Sequence, residues 1–167
     1  MEIKKIFIVG AGLMGSGIAQ VCAQSGINVV LNDISKEAID KGLKDIVWSV
    51  SKFIEKGKVR EDKETILNRI STDDDFSGAA DADLAIEVVF EKLELKQEIF
   101  QKLDEACQQN TILASNTSAI PITELASVTK RPEKVLGIHF FSPVPMMPVA
   151  EVIRGISTTE ETILVGC

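Results

Sequence analysis

The sequence predicts an α/β fold with a doubly wound, mostly parallel β-sheet. Three observations predict it: apolar β-branched runs alternate with amphipathic runs, the second apolar run is continuous, and a glycine-rich turn joins the first apolar run to the amphipathic run after it. A continuous apolar strand is typical of parallel sheets, because helices cover both faces. The 167 residues suit one domain spanning 1–167, and a hydrophobic content of 45% is enough for a core.

The first half of the chain predicts two strands and three helices. In order, they are a strand over residues 3–9, a helix over 13–24, a strand over 27–31 and helices over 35–57 and 60–69. Gly26 is expected to cap the first helix, since glycine readily adopts the conformation that ends a helix. The last two helices are expected to form a hairpin inserted into the sheet topology.

The second half predicts four more strands, over residues 84–88, 111–115, 134–139 and 149–153, with a helix over 93–108. Thr158 and Glu161 have the spacing of a capping box, which predicts a new helix beginning just before the chain stops at Cys167. This ending suggests a fragment of a longer protein. The run from Asp73 to Asp75 is interpreted as a solvated turn or helix cap rather than a cation site.

Composition excludes several function classes. A formal net charge of −7 argues against a surface that binds nucleic-acid phosphates, and a mechanism with a tyrosine acid is excluded because the chain has no tyrosine. His139 is the single histidine and the three cysteines are dispersed, so we expect no metal site of the zinc type. Unclustered cysteines and the lack of a long apolar span favour a cytoplasmic protein without a membrane segment.

Residues 10–15 carry a G-x-G-x-x-G motif between a predicted strand and a predicted helix. Gly10 permits a tight turn, Gly12 allows the backbone to approach a pyrophosphate, and Gly15 allows the helix to pack closely on the strand. The helix N-terminus at Leu13 and Met14 presents unpaired N–H groups and a positive dipole end to that anion. In this context the motif predicts a Rossmann-type dinucleotide site.

Asp33 indicates which dinucleotide is bound. It lies about 20 residues beyond the glycine motif, at the end of the second predicted strand, where a carboxylate accepts hydrogen bonds from the adenosine ribose. Its charge would repel a 2′-phosphate, so NAD is favoured over NADP. Lys36 lies close enough in sequence to weaken that preference.

His139 ends a predicted strand, at the sheet edge where the glycine motif also lies. Oxidation of an alcohol by hydride transfer needs a base for the hydroxyl proton, and imidazole titrates near neutral pH. Glu151 would orient the ring and stabilise its charge. From the residues alone, this role and that of a hydrogen-bonded core histidine stay equally open.

Three segments together resemble the NAD-binding domain of the L-3-hydroxyacyl-CoA dehydrogenases, including the bacterial 3-hydroxybutyryl-CoA dehydrogenases. They are the glycine motif in GAGLMGSGIAQ, the segment ASNTS at 114–118, and HFFSPVP at 139–145. The resemblance runs along essentially the whole chain. It implies an oxidoreductase that interconverts a (3S)-3-hydroxyacyl-CoA and the 3-oxoacyl-CoA with NAD, in fatty acid or butanoate metabolism.

The resemblance also implies roles for particular residues. His139 matches the general base and Glu151 its carboxylate partner, while Ser118 matches a serine between substrate and nicotinamide. Glu91 and Lys96 match a pair that contacts NAD.

Further positions match the family at the substrate side. Ser49 and Lys56 match residues that meet the CoA moiety, although for Lys56 a solvated helix face is the alternative because other lysines flank it. Ser142 stands where the family usually has an asparagine that contacts nicotinamide. The family also has a helical domain that mediates dimerisation and contributes a catalytic asparagine. This implies a homodimer for the full-length protein and a weakly active or inactive fragment.

Two other functions stay open. One is a related hydroxyacid or sugar-acid dehydrogenase. Substrate competition between acetoacetyl-CoA and such acids would distinguish it from a hydroxyacyl-CoA dehydrogenase. The other is a non-enzymatic NAD-binding module, which would bind NADH without any dependence on acyl-CoA.

Overall fold

The predicted apolar runs form the centre of a seven-stranded sheet. The computed structural model describes residues 2–166, and its strands lie in the order β3-β2-β1-β4-β5-β6-β7. Neighbouring strands from β3 through β6 are parallel, whereas β7 pairs antiparallel with β6 at the edge. The predicted doubly wound, mostly parallel α/β architecture is confirmed.

The strands are β1 Lys5–Val9, β2 Asn28–Asn32, β3 Ile70–Asp73, β4 Leu84–Glu87, β5 Ile112–Ser115, β6 Val135–Phe140 and β7 Ala150–Arg154. The α-helices are α1 Leu13–Gln24, α2 Lys36–Glu55, α3 Lys63–Leu67, α4 Leu93–Ala106, α5 Ile122–Ala126 and α6 Glu160–Gly166. Short 3-10 turns lie at Ser77–Ala79, Pro132–Lys134 and Val144–Met146. None of the helices within residues 2–166 is both long enough and apolar enough to cross a bilayer.

Two apolar cores lie on opposite faces of the sheet. Side chains alternate along a strand, so Ile8 joins the core under α1 and α2 while the adjacent Phe7 joins the core under α4 and α5. Both side chains are completely buried. Because each face is covered by helices, the central strands contain few polar residues except where they end, and the polar residues at those ends form the site.

Two local predictions are corrected, and two elements were missed. The helix expected over 60–69 is only Lys63–Leu67, because the Asp62 carboxylate caps it by accepting a hydrogen bond from Thr65 N. The capping box predicted at Thr158 and Glu161 is wrong: the Thr159 hydroxyl caps the helix by accepting from Thr162 N, and Thr158 is buried with its hydroxyl donating to Val135 O. Strand β3 and helix α5 were not predicted.

Other local predictions hold. Ser35 caps α2 by accepting from Ala38 N, and Gly26 follows α1 with a φ of 87°, a left-handed conformation that favours glycine. The aspartate run forms a turn, in which Asp73 accepts from the backbone N–H groups of Asp75 and Gly78. Cys167, one of the three cysteines, lies outside the described residues.

Candidate active site

Most of the predicted functional residues gather at the carboxyl ends of the parallel strands. From β1 the chain proceeds to β2 and β3 on one side, and β4, β5 and β6 lie on the other. The reversal beside β1 makes a crevice at this edge, which is where ligands bind in doubly wound sheets. The glycine motif at residues 10–15 directly follows β1 and borders this crevice.

The glycine turn fits an anionic ligand. Gly12 is the N-cap of α1 but supplies no side-chain hydrogen bond, and the first turn of α1 has no acidic residue. The first N–H groups of a helix lack intrahelical partners, so those at Leu13 and Met14 are left for a ligand. Open space surrounds Gly12, where an added Cβ would meet no atom within 4 Å. The turn therefore presents a bare helix N-terminus of the kind that binds pyrophosphate.

Two other glycines hold the turn in place. Gly10 has a φ of 113°, and a Cβ there would lie 2.8 Å from Val88 O. A Cβ on Gly15 would collide with the Gly10 carbonyl oxygen. The roles predicted for these residues, a tight turn and close helix–strand packing, agree with this geometry.

Asp33 lies just after β2 and connects three segments of the crevice. Its carboxylate accepts hydrogen bonds from Ala11 N at 2.8 Å and from Ser35 N at 2.9 Å, one on each oxygen. It thus joins the glycine turn to the start of α2. Each oxygen keeps a further lone pair, which leaves the carboxylate able to accept from a ribose hydroxyl.

A cavity of about 360 Å³ opens at the ends of β4, β5 and β6. Six of the residues predicted from the sequence line it: Met14, Glu91, Lys96, Ser118, His139 and Ser142. Val88, Val89, Asn116, Phe140 and Phe141 complete the lining.

The sheet register brings His139 and Glu151 together. The two residues lie directly opposite each other on the antiparallel strands β6 and β7. The distance from His139 Nδ1 to Glu151 Oε2 is 3.2 Å, and the Phe141 ring lies edge-on to the imidazole with centroids 4.8 Å apart. The second ring nitrogen, Nε2, is therefore the one available to a ligand in the cavity.

Lys96 is held in a buried network beneath the cavity. Its ammonium, on a side chain only 1% exposed, lies 2.6 Å from Glu87 Oε1, 3.3 Å from Glu91 Oε2 and 3.2 Å from Val89 O. Glu87 is fully buried and also accepts from Ser115 Oγ at 2.7 Å. Much of the hydrogen-bonding capacity of Lys96 is thus used inside the protein, whereas Glu91 faces the cavity.

Glu91 is kept ionised by its neighbours. Partial burial works to raise the pKa of Glu91, but the hydrogen bond from the Thr117 hydroxyl and the charge of Lys96 outweigh it, so the pKa lies below its ordinary value. The cavity wall therefore carries a carboxylate that accepts hydrogen bonds at neutral pH.

The two residues predicted for CoA lie elsewhere. Ser49 and Lys56, both at α2, line a second cavity of about 550 Å³ between α1, α2 and the Val144–Met146 turn. Leu13 also lines this second cavity, while Ser118 lines only the first of the two. The predicted residues that line a cavity thus fall into two groups, and Leu13 and Met14 at the start of α1 belong to different cavities.

Sequence reasoning missed four polar residues of the site. Glu87, Ser115 and Thr117 form the network beneath the cavity, and Asn116 Oδ1 accepts from Phe140 N at 2.8 Å, which joins the ends of β5 and β6. The available signal was position, because all four lie at or just after the carboxyl end of a buried strand.

Comparison with known proteins places the chain in a family. Residues 5–166 match the family model "3-hydroxyacyl-CoA dehydrogenase, NAD binding domain". The chain is 48% identical over 165 residues to a probable 3-hydroxybutyryl-CoA dehydrogenase of Bacillus subtilis, which covers 98% of the chain and 58% of the relative. It is 45% identical over 159 residues to the 3-hydroxybutyryl-CoA dehydrogenase of Clostridioides difficile, covering 95% of the chain and 57% of the relative.

A solved structure agrees. The (S)-3-hydroxybutyryl-CoA dehydrogenase from Ralstonia eutropha superposes with a TM-score of 0.94 at 43% identity, covering 98% of this chain and 58% of that one. The chain thus spans a little over half the length of these relatives. The match extends over nearly the whole of this chain. The chain therefore belongs to the 3-hydroxyacyl-CoA dehydrogenase family, of which it represents the NAD-binding domain.

Proposed function

We propose that this chain, as one dinucleotide-binding domain over 1–167, forms part of an enzyme that interconverts (3S)-3-hydroxybutanoyl-CoA and acetoacetyl-CoA with NAD. The observation that carries the proposal is the His139–Glu151 pair at 3.2 Å, beside a cavity that Ser118 also lines. A base, its carboxylate partner and a hydroxyl at one cavity suit the exchange of a proton with a secondary alcohol. The names of the relatives support the choice of substrate.

When bound, NAD supplies the hydride acceptor, and the chain's own residues handle the proton. Glu151 accepts the Nδ1–H of neutral His139, which fixes the tautomer and leaves a lone pair on Nε2. Nε2 takes the hydroxyl proton of the substrate, and Glu151 stabilises the imidazolium. In the reverse direction, Nε2 returns the proton while the Ser118 hydroxyl holds the carbonyl oxygen.

Cofactor contacts are proposed for the residues around the first cavity and the glycine turn. Leu13 and Met14 would donate N–H groups to the pyrophosphate, and Asp33 would accept from the adenosine ribose. Glu91 would accept from a hydroxyl of the cofactor, and Lys96 would hold Glu91 in position. Ser142 would contact the nicotinamide side.

The second cavity is proposed to hold the CoA moiety. Lys56 is exposed and has no ion pair within residues 2–166, and Ser49 lies two turns before it at the same cavity. An exposed ammonium and a hydroxyl suit the phosphate end of CoA. We also propose a homodimer for the full-length protein, by analogy with the family, and a reducing cytoplasmic location. The buried, unpaired Cys22 and Cys107 support that location.

The proposal is tested first by calorimetric titration of the chain with NADH and, as the matched control, NADPH. We expect saturable NADH binding that is clearly tighter than NADPH binding, because the Asp33 carboxylate repels a 2′-phosphate. A folded chain that binds neither cofactor would contradict the proposed roles of the glycine turn and Asp33.

The catalytic assignment is tested with His139→Ala. Reduction of acetoacetyl-CoA by NADH is measured for the chain alone and for the chain fused to the C-terminal part of the Bacillus subtilis relative. We expect the substitution to reduce turnover by at least about 100-fold, a typical contribution of a general base, while the Kd for NADH changes by less than about twofold. Substantial residual turnover in the fused variant would refute the assignment.

A further inference from the structure

Gln20 has a buried amide without a partner. The residue lies in the middle of α1 and is 2% exposed, yet its Nε2 has no hydrogen-bond partner within the described residues. A buried donor left unpaired destabilises a protein by about as much as a lost hydrogen bond, so nearly all such groups are paired. Gln20 therefore has the character of a group that is paired only when something binds.

The position of Gln20 shows where that partner would lie. Gln20 lines the second cavity, between α1, α2 and the Val144–Met146 turn. Three residues before Gln20 on α1, the turn packs closely on the helix, because a Cβ added at Gly17 would lie 2.9 Å from Val144 Cβ. Glycine at this position lets the turn approach the helix and form one wall of the cavity.

The remaining lining residues suit a ligand that is apolar in one part and negatively charged in another. Apolar side chains, among them Ile46, Phe53 and Val144, form much of the wall. Three lysines also line the cavity: Lys52 is paired with Glu55 at 2.7 Å, Lys58 lies over the Phe53 ring at 5.6 Å, and Lys56 is unpaired among the described residues. The cavity thus combines an apolar wall, three lysines against one carboxylate (Asp45), and one neutral buried amide.

We propose that the Gln20 amide hydrogen-bonds an amide group in the pantetheine arm of an acyl-CoA bound in this cavity. The inference rests on the proposed function and adds a binding residue to it. A neutral amide is a poor partner for phosphate when lysines are present, but it matches the donor and acceptor of another amide. The apolar wall would contact the methylene and dimethyl groups between the phosphates and the thioester.

The test compares Gln20→Met with the matched control Gln101→Met. Methionine keeps the length of the side chain and removes the amide, and Gln101 is exposed on α4, a helix that packs on the opposite face of the sheet. Calorimetry on the chain measures Kd for acetoacetyl-CoA, pantetheine and NADH. Thermal unfolding without ligand measures Tm.

We expect Gln20→Met to weaken the binding of acetoacetyl-CoA and of pantetheine by the same factor, roughly three- to tenfold. This factor corresponds to one neutral hydrogen bond. The Kd for NADH should not change. The Tm of the ligand-free chain should rise by roughly 2–4 °C, because an unpaired buried amide is replaced by an apolar group. If the Gln20 amide instead made a structural hydrogen bond within the chain, Gln20→Met would lower Tm.

Other results overturn the inference in distinguishable ways. If Gln20→Met binds acetoacetyl-CoA as well as the unsubstituted chain does, the amide pairs with a resident water or another group, and only the role of Gln20 fails. A fall in Tm would have the same meaning. If the unsubstituted chain binds NADH but neither acetoacetyl-CoA nor pantetheine, the proposed substrate class fails with it.

Discussion

The Thr117 hydroxyl connects the loop after β5 to the wall of the first cavity. It donates to the Glu91 carboxylate and accepts from Ile120 N at 2.9 Å. One small side chain thus fixes the loop and lowers the pKa of a carboxylate that the proposed function assigns to cofactor binding.

Thr117→Val should shift the pH dependence of NADH binding. A lowered pKa keeps Glu91 ionised, so its contribution to affinity is present above that pKa and is lost as pH falls through it. Removing the hydroxyl removes a cause that lowers the pKa, so the loss of affinity on acidification should begin at a higher pH. Calorimetric titrations between pH 7 and about pH 4 measure the shift.

Thr117→Ser is the matched control, because it keeps the hydroxyl and should restore the curve of the unsubstituted chain. Superimposable curves for Thr117→Val and Thr117→Ser would contradict the assignment of Glu91 to the cofactor. Both variants are measured well below their unfolding temperatures, since valine leaves Ile120 N without its acceptor.

Sequence reasoning at this scale identified residues better than their contacts. His139 and Glu151 were expected to pair because their residue types suit a proton exchange, and the antiparallel register of β6 and β7 brings them together. The contact of Lys96 with NAD stays a prediction, whereas its ion pair with Glu87 was not foreseen, since sequence reasoning did not single out Glu87. Glu87 lies nine residues before Lys96, across a loop, and a buried partner at that separation leaves no local pattern in the sequence.

Helix α1 depends on glycines for two separate reasons, and substitution can separate them. Gly15 lies against the Gly10 carbonyl, whereas Gly12 faces open space with an ordinary φ of −69°. One glycine is needed for the folded chain itself, and the other is proposed to be needed for the ligand.

We expect Gly15→Ala to destabilise the chain by about 1–3 kcal/mol or more, because the added methyl group forces α1 away from the turn. Gly12→Ala should change the free energy of unfolding by less than about 0.5 kcal/mol, as surface substitutions usually do, but should weaken NADH binding. Urea unfolding and NADH titration of both variants measure the two effects. Normal NADH affinity in Gly12→Ala would contradict the proposed pyrophosphate contact.

The elements that sequence analysis found and missed differ in length and burial. The bounds predicted for α1, residues 13–24, agree with the structure because a glycine turn and Gly26 mark both ends. Strand β3 was missed since it has four residues at the sheet edge, with Ser71 and Thr72 exposed. Helix α5 has only five residues, which is too short for a hydrophobic period to be visible.

Across the whole molecule, the buried network of Glu87, Lys96 and Ser115 joins β4, α4 and β5 beneath the first cavity. Glu87 and Ser115 are opposite each other in the parallel register, and α4 brings the ammonium to them. The network therefore ties the cofactor side of the crevice to the core of the fold.

Lys96→Met should lower the free energy of unfolding by about 3–5 kcal/mol, because it leaves the Glu87 carboxylate buried without a countercharge. Glu87→Gln combined with Lys96→Met should lower the free energy of unfolding by less than Lys96→Met alone, since no buried charge remains at residue 87. Urea unfolding of both variants measures the difference. Lys92→Met, at an exposed position before α4, serves as the control, and an equal small effect of both lysine substitutions would refute the prediction.

The antiparallel register of β6 and β7 makes the proposed proton-transfer pair tolerant of some insertions and intolerant of others. Side chains alternate between the faces of a strand, so a slip of one residue would turn Glu151 to the other face and set Ala150 or Val152 opposite His139. The connecting residues 141–149 lie outside the ladder between the strands. A designer who wishes to reshape the pocket can lengthen that connection, whereas a single residue inserted between the start of β7 and Glu151 would separate the pair.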